Sequence, residues 1–458
     1  MKKLLLLFGS VLIIASCQQT PTNLVKITGT ILNPDTSLVL QAYIDRVRDT
    51  IDLNEDGTFS FEKETEKPMN IILLYGRNNT NVYAEPGSVV DFMADAADWA
   101  NSQSFSGDLV GENSYLLEKA ALTNDWRQNT RTIIVREPAE YRASRDSMQE
   151  VFTSLLEDYD DLTSSFTEVE KLSLEFSYYS DLNNYQRMHQ YYAQKESVDL
   201  PEDWYDYKES VDINNPLLLD VPAAMSFISA KINDGAMEEG GLSGDVWGTP
   251  ELLNAKISYI NKNITVPEMK ERFIFDILSQ QLDSGPPTGV KEAINSYLSI
   301  SASEENKAVI KEKMDAWAAI LPGQPAPPFS LPDINGKNLA LSDLAGKYVY
   351  IDFWATWCGP CIAEIPQYRK LVEDYKGRNV VFMSISVDRD KEAWKKMVEE
   401  EAFEWVQLHD SIMMNDDYLV RYIPTFVFVD TEGIIIDPRA PRPSDPGIRE
   451  MLDAQPGL

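Results

Sequence analysis

Cysteine is almost absent from this chain, with three in 458 residues: Cys17, Cys358 and Cys361. An exported protein held together by disulfides would spread several bridges along its length, so a disulfide scaffold is excluded. Histidine is scarcer still, at two, His189 and His409. A closed structural zinc site takes four ligands, and there is no second cysteine pair to complete one, so both histidines read as ordinary surface or core residues. Basic residues are outnumbered, 41 against 73 acidic, for a formal net charge of −32. A surface of that sign repels phosphate backbones and anionic lipid headgroups, which excludes a nucleic-acid partner. The acidity reads as a solvated coat that maintains solubility, with steering of a basic protein partner as the alternative. No repeat of fixed period and no long low-complexity tract is present.

What is present exceeds one ordinary domain. A length of 458 residues and a hydrophobic content of 43% suit about three globular parts with sizeable cores. At the start, Lys2 and Lys3 precede an apolar run from Leu4 to Ile14 that is too short to span a bilayer comfortably. Ile14-Ala15-Ser16-Cys17 follows and resembles a bacterial lipobox. That resemblance implies removal of residues 1–16 as a signal peptide and lipidation of Cys17, with more than one acyl chain for firm anchoring. Gln18 in place of an aspartate implies, for such lipoproteins, the outer membrane. The expected location is therefore the cell envelope, lipid-anchored on the periplasmic face of the outer membrane. Cys358 and Cys361 are then the only cysteines left, and a loop so short staples almost nothing. The pair is there for chemistry.

Residues 17–110 have a β texture. Val25-Lys26-Ile27 and Phe59-Ser60-Phe61 alternate, Ile71–Tyr75 and Val89–Phe92 are further runs, and Asp56-Gly57 and Glu85-Pro86-Gly87 are turn signals. An all-β sandwich or barrel is predicted there. Residues 111–321 change period. Met148, Val151, Phe152, Leu155, Leu156, Tyr159 and Leu162 predict one helix face, as do Ile310, Met314, Trp317 and Leu321, so this region is mostly α-helical. Tyr178, Tyr179, Tyr191 and Tyr192 are predicted to pack in helix cores, with a peptide groove as the alternative. The proline-dense stretch Pro322–Pro328 marks a boundary, and residues 322–458 alternate strands and helices. Strands are predicted at Tyr348–Phe353, Val380–Val387, Phe426–Val429 and Ile434–Ile436, and helices at Pro360–Lys376 and Lys391–Glu401. The chain is thus multidomain, with its last part α/β around a βαβ unit.

Trp357-Cys358-Gly359-Pro360-Cys361 sits where a buried strand ends and a helix begins. The thiolate is the reactive form of cysteine, and a helix N-terminus stabilises negative charge through its unpaired N–H groups and dipole. Cys358 is therefore the predicted nucleophile. Pro360 suits the first helical turn, where a missing N–H costs little. Cys361, one turn on, is placed to resolve a mixed disulfide. Half of a zinc site and a purely structural disulfide are the alternatives.

Several further motifs surround this pentapeptide. They are Gln324-Pro325-Ala326-Pro327-Pro328-Phe329, Asp333-Ile334-Asn335-Gly336-Lys337, Leu341-Ser342-Asp343-Leu344 with Gly346-Lys347, and Asp352-Phe353-Trp354-Ala355-Thr356 leading into Trp357. Together they resemble the thioredoxin superfamily, in particular its membrane-associated ResA/TlpA-like branch of thiol–disulfide oxidoreductases. The resemblance covers under a third of the chain and implies a thioredoxin fold. It also implies a helix-kinking Pro366 and a cis-proline loop at Ile423-Pro424-Thr425 whose backbone pairs with an extended substrate strand. Asp352 matches the buried carboxylate that accepts the resolving thiol's proton, and Glu364 matches the glutamate of the ResA-like branch. Their bland alternatives are a strand-end residue facing solvent and an exposed helix residue. Burial of either would raise its pKa toward neutrality.

The implied activity is reduction of a disulfide-containing protein substrate, with no cofactor and with an upstream membrane thiol donor. A disulfide oxidase or isomerase, and a partner-binding lipoprotein with an accessory thioredoxin domain, are the rival readings. The P-x-x-x-[ST]-x-x-C arrangement of peroxide-reducing relatives is absent before Cys358. Gly29-Thr30-Ile31, Asp56-Gly57-Thr58-Phe59-Ser60-Phe61 and Glu85-Pro86-Gly87 resemble the β-rich domain that precedes thioredoxin domains in many bacterial lipoproteins. Arg439-Ala440-Pro441-Arg442-Pro443 departs from the family pattern and leaves the packing of the C-terminal helix open.

Overall fold

Alternation in Leu24–Leu32 (β1) puts Val25, Ile27 and Ile31 on one fully buried face. The computed structural model describes residues 23–44, 47–244, 246, 248–410 and 416–458, so Cys17 and the predicted signal peptide lie outside the described residues. The chain divides between Ile228 and Ser229 into two compact units.

In the first unit, β1 pairs antiparallel with β4 (Thr58–Glu64) and parallel with β7 (Val89–Asp95), which β8 (Ser104–Gly107) extends. A second sheet runs in the order β3 (Val47–Ile51), β2 (Leu40–Ile44), β5 (Met69–Tyr75), β6 (Asn78–Ala84). Both sheets feed one apolar core, with Ile27 and Phe92 from the first and Ala42, Leu73 and Val82 from the second. Gly29 is required where the strands approach closely, because a Cβ there would lie 2.2 Å from the Phe92 carbonyl oxygen.

Three long helices follow, Val110–Gln128, Pro138–Glu157 and Ser164–Ala193. Met148, Phe152, Leu155 and Leu156 form the predicted buried stripe of the second. Val151 does not join it, being 43% exposed at the edge of the stripe. That helix stops at Glu157, so Tyr159 and Leu162 reach the same core from the loop beyond it. Tyr191 and Tyr192 are also corrections to core packing. They are 74% and 37% exposed near the end of their helix, and their rings meet edge-on at 5.0 Å on the surface.

The second unit opens with helices that include Pro250–Asn263, Pro267–Ser284, Lys291–Ile300 and Glu304–Ala318. Ile310 and Trp317 are buried as predicted, but the last helix ends at Ala318 and Leu321 lies in the turn after it. The indole of Trp317 donates to the Leu282 carbonyl at 2.6 Å. A two-stranded hairpin, β9 (Ser330–Pro332) and β10 (Asn338–Ala340), then leads to a five-stranded sheet. Its order is β13 (Val406–His409), β12 (Val380–Ser386), β11 (Tyr348–Trp354), β14 (Thr425–Val429), β15 (Ile435–Asp437). β11, β12 and β13 are parallel and joined by the helices Gly359–Asp374 and Lys391–Glu401; β14 and β15 run antiparallel. All seven residues of β11 are buried, which suits a central strand covered on both faces. Among the described residues no helix is long and apolar enough to cross a membrane.

Candidate active site

The end of β11 aims the chain at the site. Thr356 fixes the turn by donating its N–H and hydroxyl to the two carboxylate oxygens of buried Asp388, at 2.9 and 2.8 Å. Cys358 then serves as the N-cap of the helix Gly359–Asp374, and its sulfur accepts the Cys361 N–H at 3.2 Å. Gly359 and Pro360 form the first helical positions, and Pro366 lies inside the helix. Cys358 and Cys361 are joined as a disulfide, with Cα atoms 5.2 Å apart, and both are buried.

Across from the pair, the Ile423–Pro424 peptide bond is cis, and the Ile423 carbonyl oxygen lies 3.7 Å from the Cys358 sulfur. Trp357 is 70% exposed beside this contact, and Ile362 and Tyr422 are also exposed. Apolar groups therefore rim the disulfide on the surface. Tyr422 donates its hydroxyl to the Ser284 carbonyl at 3.0 Å, which ties the loop to the helix Pro267–Ser284.

Beneath the pair, both carboxylates are buried, in place of the exposed alternatives. Parallel pairing of β11 with β12 sets Asp352 opposite Ser384. The Ser384 hydroxyl donates to Asp352 Oδ2 at 2.9 Å and accepts the Trp405 indole N–H at 2.8 Å. Asp352 Oδ1 has no partner among the described residues. Burial pushes the Asp352 carboxyl up to about 7; the Ser384 bond opposes that rise and the Glu364 charge adds to it. Glu364 is placed differently: Ser444 donates its N–H to Oε2 at 2.9 Å and its hydroxyl to Oε1 at 2.7 Å, with the Arg442 guanidinium 3.8 Å away. Asp352, Cys361 and Glu364 all line a small cavity of about 10 Å³.

Residues 322–437 match the AhpC/TSA family, and residues 25–108 match a Domain of unknown function (DUF4369). A Thiol-disulfide oxidoreductase ResA of Bacillus cereus is 32% identical over 128 residues, covering 28% of this chain and 70% of that protein. ResA of Bacillus subtilis is 34% identical over 119 residues, 26% of this chain and 66% of its own. This chain belongs to the thioredoxin-like thiol–disulfide oxidoreductases. It is similar as well to a crystal structure of the thioredoxin domain of a thiol-disulfide oxidoreductase from Bacteroides vulgatus, at 29% identity over 29% of this chain and 96% of that one, with a TM-score of 0.27.

For a thioredoxin-like oxidoreductase, four polar residues at this site escaped sequence reasoning: Ser384, Trp405, Asp388 and Ser444. Ser384 is found only through strand register, and Trp405 only through its bond to Ser384. Ser444 follows the stretch whose packing the family pattern left open. That stretch is well seated: Arg439 donates to the Leu419 carbonyl at 2.6 Å and lies 4.6 Å over the Trp317 ring, while Ile448 and Leu452 of the final helix are fully buried. His189 and His409 are core residues, the latter bonded through Nε2 to the Asp388 carbonyl at 2.9 Å.

Proposed function

We propose that this chain reduces disulfides of client proteins in the cell envelope, with Cys358 as nucleophile and Cys361 as resolving thiol. The observation that carries the exchange chemistry and the choice of nucleophile is Cys358 as helix N-cap, its sulfur on the Cys361 N–H and facing the Ile423 carbonyl. An N-terminal helix position and a backbone N–H both favour a thiolate there, the dipole alone by about 0.3–1 kcal/mol. The reduced pair attacks a client disulfide through Cys358, releasing one client thiolate and forming a mixed disulfide. Cys361 then attacks Cys358, which frees the second client thiol and leaves the Cys358–Cys361 disulfide. Two electrons pass to the client, and an upstream membrane dithiol returns them; no cofactor takes part.

Asp352, rather than Glu364, is our choice for the group that takes the Cys361 proton. Both Glu364 oxygens already accept bonds from Ser444, whereas Asp352 keeps one oxygen without a partner among the described residues and is held near neutrality by burial. The cavity of about 10 Å³ that they share with Cys361 has room for one water at most, enough for a relay. Ile423 and Pro424 would hold an extended client strand, and Trp357 would contact it.

We assign residues 17–110, 111–321 and 322–458 as the three parts of the mature protein, anchored by lipid at Cys17 after loss of residues 1–16. Direction is tested by the midpoint potential of the Cys358/Cys361 couple. A reductant should lie near thioredoxin at about −270 mV; a value near about −120 mV would make the chain an oxidase instead.

A further inference from the structure

The apolar clusters among the helices of the first unit do not close on one another. One contains Met148, Phe152 and Leu174, the other Ile133, Tyr141 and Tyr185, and Trp126 touches both. Between them lies a half-open cleft of about 620 Å³. Packed interiors leave few voids larger than a water molecule, and this volume falls within the range of small-molecule sites.

Its walls are mostly apolar, with Lys119, Arg145, Asp181 and Arg187 as the charged groups. Lys119 pairs with Glu170 and Arg145 with Asp181. Arg145 is not fully used by that pair. Its guanidinium lies 5.5 Å over the Trp126 ring, and its buried Nε has no partner among the described residues. Arg187, at the exposed rim, donates to Asn184 Oδ1 at 3.4 Å, and among the described residues no carboxylate pairs with it. Three cations, Lys119, Arg145 and Arg187, thus line the cleft against one lining carboxylate, Asp181, in a chain whose net charge is −32.

We propose that this cleft binds a small molecule carrying one carboxylate on an apolar body. The carboxylate meets Arg145 and Arg187, and the body lies along Trp126, Met148 and Phe152. Arginine suits this role because its planar fork bonds a carboxylate through two N–H groups at once. A fatty acid and the C-terminus of a short apolar peptide share that chemistry. None of these residues belongs to the Cys358 site, so the proposal stands or falls apart from the redox reading.

The test is calorimetric titration of the full chain with laurate and, separately, with N-acetyl-leucyl-phenylalanine, each beside its methyl ester. At least one acid should bind one per chain, and its ester at least about tenfold more weakly, the loss expected when a charged hydrogen bond is removed. Arg187→Met, a rim change that leaves no buried group unpaired, should weaken the acid by about tenfold at an unchanged melting temperature. The double variant Arg145→Met/Asp181→Asn should do the same without stranding the aspartate. Binding of laurate alone identifies a lipid-derived ligand, and of the peptide alone a peptide C-terminus. No binding by either acid, esters as tight as acids, or binding untouched by Arg187→Met would each overturn the proposal. Disulfide reduction should be unaffected by these variants.

Discussion

Replacing Asp352 by asparagine should stabilise the oxidised protein above neutral pH and do little in acid. Burial holds this carboxyl at about 7 against an ordinary value of 3.8. Below about pH 4 the group is protonated in the folded and unfolded chain alike, and it costs nothing. As pH rises from there, the unfolded chain releases the proton while the folded chain keeps it, so stability falls. The loss is complete a little above pH 7, where the buried carboxylate finally ionises. At 1.36 kcal/mol per pKa unit the full cost is about 4 kcal/mol, and less than about 1 kcal/mol of it is left at pH 4. Asparagine carries no charge at any pH and can still accept the Ser384 hydroxyl, so Asp352→Asn removes the cost and keeps the bond. The assay is hydrogen exchange of the peptide spanning residues 348–354 across a urea series, for wild type and variant, at pH 4 and pH 8. A stability gain of about 4 kcal/mol at pH 8 that nearly vanishes at pH 4 is expected. The same difference at both pH values would refute the claim that burial displaces the titration of Asp352.

The same site yields two further expectations. Glu364→Gln removes a negative charge that raises the Asp352 pKa, so the pH profile of insulin reduction by the pre-reduced protein should move to lower pH. Ser384→Ala removes a bond that lowers that pKa and also strands the Trp405 indole N–H. It should shift the profile upward and cost about 1–3 kcal/mol, seen as a lower urea midpoint.

How legible the protein was in its sequence depended on how local each signal is. The run Tyr348–Phe353 followed by Cys358-Gly359-Pro360-Cys361 announced both a central strand and a helix N-terminus, and the structure has both. The helix Lys391–Glu401 forms with its predicted bounds, helped by Asp390, whose carboxylate accepts two N–H groups of the first turn. Strand β13 was missed because Gln407 and His409 break its apolar pattern although both are buried. Ser384 was invisible for a different reason: its role exists only through register with Asp352, 32 residues away. Ser444 reaches Glu364 across 80 residues. In the helical region, periodicity found the Met148 stripe but not its limits, since Val151 lies at its edge and the helix stops at Glu157, before Tyr159 and Leu162. Periodicity says which residues share a face, not what covers it.

The central claim is that Cys358 attacks and Cys361 resolves. Its most direct measurement is covalent capture from envelope extracts with Cys361→Ser and Cys358→Ser variants side by side, the captured species identified by mass spectrometry after reduction. Cys361→Ser should hold client proteins as mixed disulfides through Cys358, because no thiol remains to release them, and Cys358→Ser should hold few or none. Equal capture by both variants, or capture only by Cys358→Ser, would contradict the account.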